Sequence, residues 1–270
     1  MILFVFEGKD DKTYFESIKR IFFPQKMDAF ICTYNSNIYS LYSKLKEHDV
    51  FSVDGYSGNT VSVLNQILSE KRDETLKNIR EDEVSEIYLF FDYDFQEDSG
   101  TLKENNKRVL EMLSYFSDET GVGKLYINYP MLESLRYTKQ LPDKNFRLYK
   151  VSLKDCKEIG FKKMTHDFCH YGSNLEYIVP ILRGKDDKVE QKVSIARTNW
   201  IHLVTMNVSK ANYICSGDNE IPNELDPQLV LFKGQLMRYI ETEDCCVSVL
   251  SAFPLFLFEY FGRKIVTFAP

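Results

Sequence analysis

Ile2-Leu3-Phe4-Val5-Phe6-Glu7-Gly8-Lys9-Asp10-Asp11 opens the chain with five apolar residues of strong strand preference, unbroken by a polar side chain and closed by an acid and a glycine. A continuous run of this length is the pattern of a strand buried on both faces of a parallel sheet. Asp10 and Asp11 offer capping carboxylates, and Tyr14, Phe15, Ile18, Ile21 and Phe22 recur at helical spacing up to Pro24. A strand, a turn and a helix are therefore expected in succession. Ile87-Tyr88-Leu89-Phe90-Phe91 repeats the pattern and again ends in acids, Asp92-Tyr93-Asp94.

Outward from these two runs, residues 29–33 read as a second strand, and 38–45 and 61–68 carry helical spacing around a Gly-containing loop at 54–58. The charge-dense stretch 71–86 reads as a solvated helix and loop. Val109, Leu110, Leu113 and Phe116 mark an amphipathic helix, 125–128 a further strand, and Pro130 a favourable first helical residue. Alternation of this kind predicts an α/β domain over 1–150, a mostly parallel sheet flanked by helices. From Ser152 onward longer helical patterns at 188–213 and 228–239, separated by a polar loop at 216–227, predict a mainly helical domain over 151–270. No linker-like tract divides the two, so they are expected to pack together.

Composition narrows the function. With 34 Lys and Arg against 40 Asp and Glu, the net charge is -6, which excludes a polybasic field, so any nucleic-acid contact must be local. Six cysteines without a C-x-x-C pair, and an opening unlike a signal peptide, predict a reduced, cytoplasmic protein. The longest apolar stretch, 247–261, is interrupted by Pro254 and Glu259 and is shorter than the roughly 20 residues of a membrane helix, so no membrane span is expected. That stretch reads as core, with an oligomer or partner surface as the alternative.

Both of the best strands end in acids, and sites in parallel α/β sheets form beyond the carboxyl ends of the strands. If the two strands are neighbours, Glu7, Asp92 and Asp94 converge, with Asp11 able to turn back from the first helix. Two bare carboxylates about 4 Å apart repel by about 4 kcal/mol at an effective dielectric near 20, so a cluster calls for a cation or a shared proton. Magnesium suits oxygen ligands without His or Cys. Strand alternation places Asp92 and Asp94 on one side, and Gly8 is read as permitting a tight turn. Asp-x-Asp after a strand also serves as helix-capping chemistry, and both readings stay open.

The pairing of Ile2–Asp11 with Ile87–Asp94 resembles the TOPRIM domain shared by topoisomerases, bacterial primases, a small ribosomal-RNA maturase and OLD-type nucleases. The resemblance covers about the first 140 residues. It implies a TOPRIM-like sheet, Glu7, Asp92 and Asp94 as catalytic residues, and Asp11 as the second acid that OLD-type members place four residues on. Asn128-Tyr129-Pro130-Met131-Leu132-Glu133-Ser134 is similar to a Pro-x-x-Glu stretch of stand-alone TOPRIM proteins in phage defence, including the PARIS effector, which implies Glu133 as a further ligand; a solvated first-turn glutamate is the plain alternative. The long interval from Glu7 to Asp92 implies an insertion around 36–60.

By this resemblance the chain is a magnesium-dependent endonuclease acting on RNA (tRNA included) or DNA, with Mn2+ as a substitute ion and Glu7, Asp11, Asp92, Asp94 and Glu133 as metal ligands. The setting implied is antiviral defence by abortive infection, with an ATPase sensor as partner and a homodimer as a further assembly. Lys9, Lys12 and Arg136 are candidate phosphate contacts. Two other classes compete: a nucleotide-sugar or phosphoryl transferase using Asp92 and Asp94, and a non-catalytic subunit that keeps the fold to bind a partner. His166, Cys169 and His170 lack an evident fourth zinc ligand, and Gly121-Val122-Gly123-Lys124 lacks the Ser or Thr of a phosphate loop.

Overall fold

The computed structural model describes residues 1–23, 27–51, 60–97, 100–170, 174–180 and 189–267; Pro24, the expected loop at 54–58 and Lys188 lie outside them. In chain order, β1 (Ile2–Phe6) leads to α1 (Lys9–Phe22), β2 (Ala29–Thr33), α2 (Ile38–Glu47), α3 (Thr60–Glu70) and β3 (Glu86–Asp92). Then come α4 (Leu102–Tyr115), the short β4 (Ser117–Asp118) and β5 (Gly123–Asn128). Two 3-10 turns, Leu132–Arg136 and Phe146–Leu148, precede β6 (Lys150–Ser152), α5 (Leu153–Glu158) and α6 (Phe161–Phe168). The remainder holds α7 (Val189–Ser216), α8 (Gln228–Gln235) with a π-helical turn at Leu236–Ile240, β7 (Cys246–Ser248), α9 (Ala252–Phe261) and α10 (Lys264–Thr267).

The opening run is indeed central. The sheet order is β2-β1-β3-β5-β4, parallel throughout except for β4, and β1 lies beside β3 with Phe6 opposite Phe90. Such strands must be apolar on both sides, which is why Leu3, Phe4, Phe6, Leu89, Phe90 and Phe91 are all fully buried. Gly123, at φ +114, begins β5; a Cβ there would come within 3.0 Å of Leu89 Cδ1, so this glycine serves close strand packing.

Alternation puts Phe4, Phe6, Tyr88, Phe90 and Tyr126 on one face. Helix α1 covers it with Phe15, whose ring centroid is 4.1 Å from that of Phe4, and α9 with Phe253 (4.9 Å from Phe90) and Phe256 (5.1 Å from Tyr88). The apolar stretch 247–261 is therefore largely core: Phe253, Leu255 and Phe256 are inaccessible, and its aromatic rings seal the sheet. Among its large side chains Tyr260 is exposed. The two regions pack together as expected; Ser17 of α1 and Trp200 of α7 both donate to the Ile178 carbonyl at 2.8 Å. Lys210 of α7 is buried, donates to the Phe146 and Tyr149 carbonyls at 3.0 and 2.6 Å, and has its ammonium disfavoured by burial. Among the described residues no helix is long and apolar enough to cross a membrane.

Candidate acidic site at the strand ends

Because β1 and β3 are neighbours and run the same way, their terminal acids meet. Glu7 follows β1 directly; its N–H donates to Phe90 O at 3.0 Å, continuing the ladder, and its Oε2 accepts the Asp92 N–H at 2.9 Å. Asp92 is the last residue of β3 and is 7% exposed, with Oδ1 accepting from Asn128 Nδ2 at 3.0 Å. Asp11, in the first turn of α1, is buried, and its Oδ2 caps the helix by accepting the Gly8 N–H at 3.1 Å. Gly8 itself is extended (φ -143), and a Cβ there would meet only Asp11 Oδ2 at 3.8 Å, so the turn read at Gly8 does not draw on glycine's conformational freedom.

Asp94 departs from expectation in geometry. Strand β3 ends at Asp92, and Asp94 takes a left-handed conformation (φ +46) in which its N–H donates to Pro130 O at 3.1 Å, so strand alternation does not set its direction. Its charge is nevertheless felt by both Glu7 and Asp92. Pro130 does not open a helix; the turn begins at Leu132 and carries Glu133, which is buried and lies with Oε1 3.4 Å from Lys162 Nζ.

A cavity of about 320 Å³ collects Glu7, Asp10, Asp11, Asp92 and Glu133, with Lys9 and Lys162 as the cations of its wall. Of the expected phosphate contacts Lys9 is there, whereas Lys12 is exposed outside the wall and Arg136 is directed to Tyr14, whose phenol burial raises while the Arg136 charge opposes the shift; neither lines the cavity. Lys162 was not legible in the sequence. It comes from α6, an amphipathic helix, and the packing of α6 on the Glu133 turn brings it in.

Five carboxyl groups against two ammonium groups leave the cavity short of positive charge. Burial, then the Asp94 charge, push Glu7 up to about 8, with the Asp92 N–H pulling the other way. Burial pushes Asp11 up to about 7 and, with the Glu97 charge, Asp94 up to about 6. Asp92 is driven well above the ordinary carboxylate range by burial and the Glu7 charge. The Glu133 carboxylate in turn holds the Lys162 ammonium more firmly protonated.

Among the described residues no three His, Cys, Asp or Glu side chains form a ready ligand cage. Four of the acids are instead held by a neighbour: Glu7 by Asp92 N–H, Asp11 by Gly8 N–H, Asp92 by Asn128 and Glu133 by Lys162. Yet Asp11 Oδ1 and Glu133 Oε2 are buried without a hydrogen-bond partner, on two residues of the same cavity. An unpartnered buried carboxylate oxygen is costly, and an all-oxygen set of this kind fits a hard divalent cation. Elsewhere, His166 is exposed beside Asp167, and the six cysteines form no disulfide. Searches against protein-family models, curated proteins and solved structures find no match for this chain.

Proposed function

We propose that this chain is a TOPRIM-type, magnesium-dependent nuclease that cleaves phosphodiester bonds. One observation carries the reading: at the carboxyl ends of two adjacent parallel strands, buried acids with raised proton affinity share a cavity in which two carboxylate oxygens have no partner. Charge of this kind calls for a counter-charge beyond that of Lys9 and Lys162.

A bound magnesium ion, or manganese in its place, supplies Lewis-acid polarisation of phosphate and activation of water. Glu7, Asp11, Asp92 and Glu133 would hold it, with Asp94 alongside. Once the ion offsets the crowded negative charge and leaves its carboxylate ionised, Glu7 would be the proton acceptor, its Oε2 held by the Asp92 N–H. Lys162 and Lys9 would meet non-bridging phosphate oxygens at the rim. The resemblance adds RNA, tRNA included, or DNA as substrate and a role in phage defence beside an ATPase sensor.

The test is cleavage of labelled RNA and DNA by the intact chain, with its partner if required, in Mg2+, in Mn2+ and in chelator, beside Glu7→Gln. Cleavage that needs the ion and Glu7 supports the reading. Cleavage unaffected by exhaustive chelation overturns it; turnover of nucleotide sugars without strand breaks establishes the transferase, and ion binding without turnover the non-catalytic subunit.

A further inference from the structure

Residues 139–163 carry eight Lys and Arg against three Asp and Glu, in a chain whose net charge is -6. The stretch folds around a small aromatic core, in which the Tyr137 ring centroid lies 4.2 Å from that of Phe168, 5.3 Å from Phe161 and 6.0 Å from Tyr149. Around that core all eight cations are exposed. The acids of the stretch are turned to other uses: Asp143 is buried and accepts from the Lys139 N–H and the Tyr149 hydroxyl at 2.9 and 2.8 Å, and Asp155 accepts the Ser152 hydroxyl at 2.7 Å. Lys150 pairs with Asp244 at 3.2 Å and Lys162 with Glu133 at 3.4 Å, whereas among the described residues Lys139, Lys144, Arg147, Lys154 and Lys163 make no ion pair.

The two ends of this basic stretch are fixed by packing. At one end α6 rests on the Glu133 turn and carries Lys162 to the wall of the acidic cavity. At the other, the 3-10 turn Phe146–Leu148 rests on α7, where Arg147 lies over the Tyr213 ring, 5.0 Å from its centroid. Arg238 lies over the same ring at 5.8 Å, so two guanidiniums without an ion pair among the described residues share one aromatic side chain. Guanidiniums braced in this way suit phosphate oxygens.

The cavity cannot draw in a polyanion by itself, since its carboxyl groups outnumber its two ammonium groups. A phosphodiester strand that reaches it must take its affinity from cations alongside. We propose that the exposed face of residues 139–163, continued by Arg238, holds a nucleic-acid backbone that runs from Tyr213 to the cavity rim at Lys162. The direction of the strand rests on the nuclease reading, while the binding rests on the uncompensated charge. Contacts to phosphates carry no base readout, so the surface accepts a strand irrespective of its sequence. An anionic lipid surface would use the same cations and is the comparison in the test.

The test is fluorescence anisotropy of the full chain with a labelled single-stranded RNA and a labelled DNA duplex, both of mixed sequence, in chelator so that nothing is cut. Each phosphate contact removed lowers the slope of log K against log salt by about 0.7 for a single strand. Lys144→Ala/Lys154→Ala/Lys163→Ala should melt with the parent, bind about tenfold or more weakly at low salt and lose about 2 from that slope. The same three sites changed to Arg should bind as the parent does. Arg20 closes α1, and Lys77 and Arg80 precede β3, at the end of the sheet away from the acids. Arg20→Ala/Lys77→Ala/Arg80→Ala removes equal charge there and should change affinity by less than about twofold. No binding by the parent, an unchanged slope in the first variant, an equal loss in the second, or binding to phosphatidylserine vesicles and to neither nucleic acid would each overturn the proposal. The expected binding by a chain that cuts nothing in Mg2+ would uphold this surface and remove the nuclease reading, so the two failures are distinct results.

Discussion

Asn128 donates from Nδ2 to Asp92 Oδ1 at 3.0 Å, so the last side chain of β5 holds the last side chain of β3. The same carboxamide accepts the Ala252 N–H of α9 through Oδ1 at 2.9 Å, and Asn128 is wholly buried. Since the Ser251 hydroxyl also donates to it at 3.3 Å, Asn128→Ala is expected to leave three buried groups unmatched and to destabilise the chain by about 2–4 kcal/mol, seen as a fall of about 5–15 °C in a thermal melt. A melt within a degree of the parent would show that none of these bonds matters.

Glu7→Gln separates folding from chemistry. The amide oxygen can still accept the Asp92 N–H, while one repelling charge disappears. In chelator at pH 8 the variant should melt at or above the parent, and at pH 5, where Glu7 is already protonated, the two should melt alike. Strand cleavage should fall about 100-fold or more, since an amide takes up no proton. An early melt with cleavage retained would mean that Glu7 is a structural acid.

The acids also set a pH dependence of stability. Glu7, Asp11 and Asp94 are raised to about 8, 7 and 6, so the folded chain binds more protons than the unfolded chain between pH 4 and 8. A raised folded value gives stability that is present below the unfolded value and is lost as pH rises through the folded one. In chelator, melting should therefore drop between pH 5 and pH 8. Mg2+ should restore it at pH 8 with little effect at pH 5. A melt that rises over this interval and ignores Mg2+ contradicts the assignment.

Lys162 is 66% exposed in its side chain and pairs with Glu133 at 3.4 Å, so its removal should change stability by no more than about 0.5 kcal/mol. Lys162→Ala should raise the KM for nucleic acid about tenfold at low salt, with Lys162→Arg restoring most of the loss. A changed melt with unchanged KM would reduce the pair to a surface contact.

The sheet was legible because its central strands must be apolar on both sides, and few other segments of the chain are so continuous. The acids were legible for a related reason: a carboxylate directly after such a strand sits at the open edge of the sheet whatever the loops do. Asp94 was placed less well, since its direction depends on a left-handed residue and on the Pro130 carbonyl, neither of which strand periodicity reports. Lys162 and Asn128 escaped notice for opposite reasons. A lysine on an amphipathic helix looks solvated, and an asparagine closing a strand looks like the start of a turn; their partners lie in distant segments of the chain. Pro130 and Gly8 show the converse error, where a favourable local preference was given a role that the backbone does not use.

Lys124, Tyr126 and Asn128 alternate onto the face of β5 that α9 covers, so strand and helix are fastened at both ends: Glu259 receives Lys124 and Tyr126, and Ala252 donates to Asn128. A helix pinned in this way cannot slide along its axis as a piston; it can only pivot or detach. Glu259 at one rim and Asp92 at the other are thereby tied to the same helix, Asp92 through the Asn128 side chain and its own strand through the packing of Phe253 on Phe90.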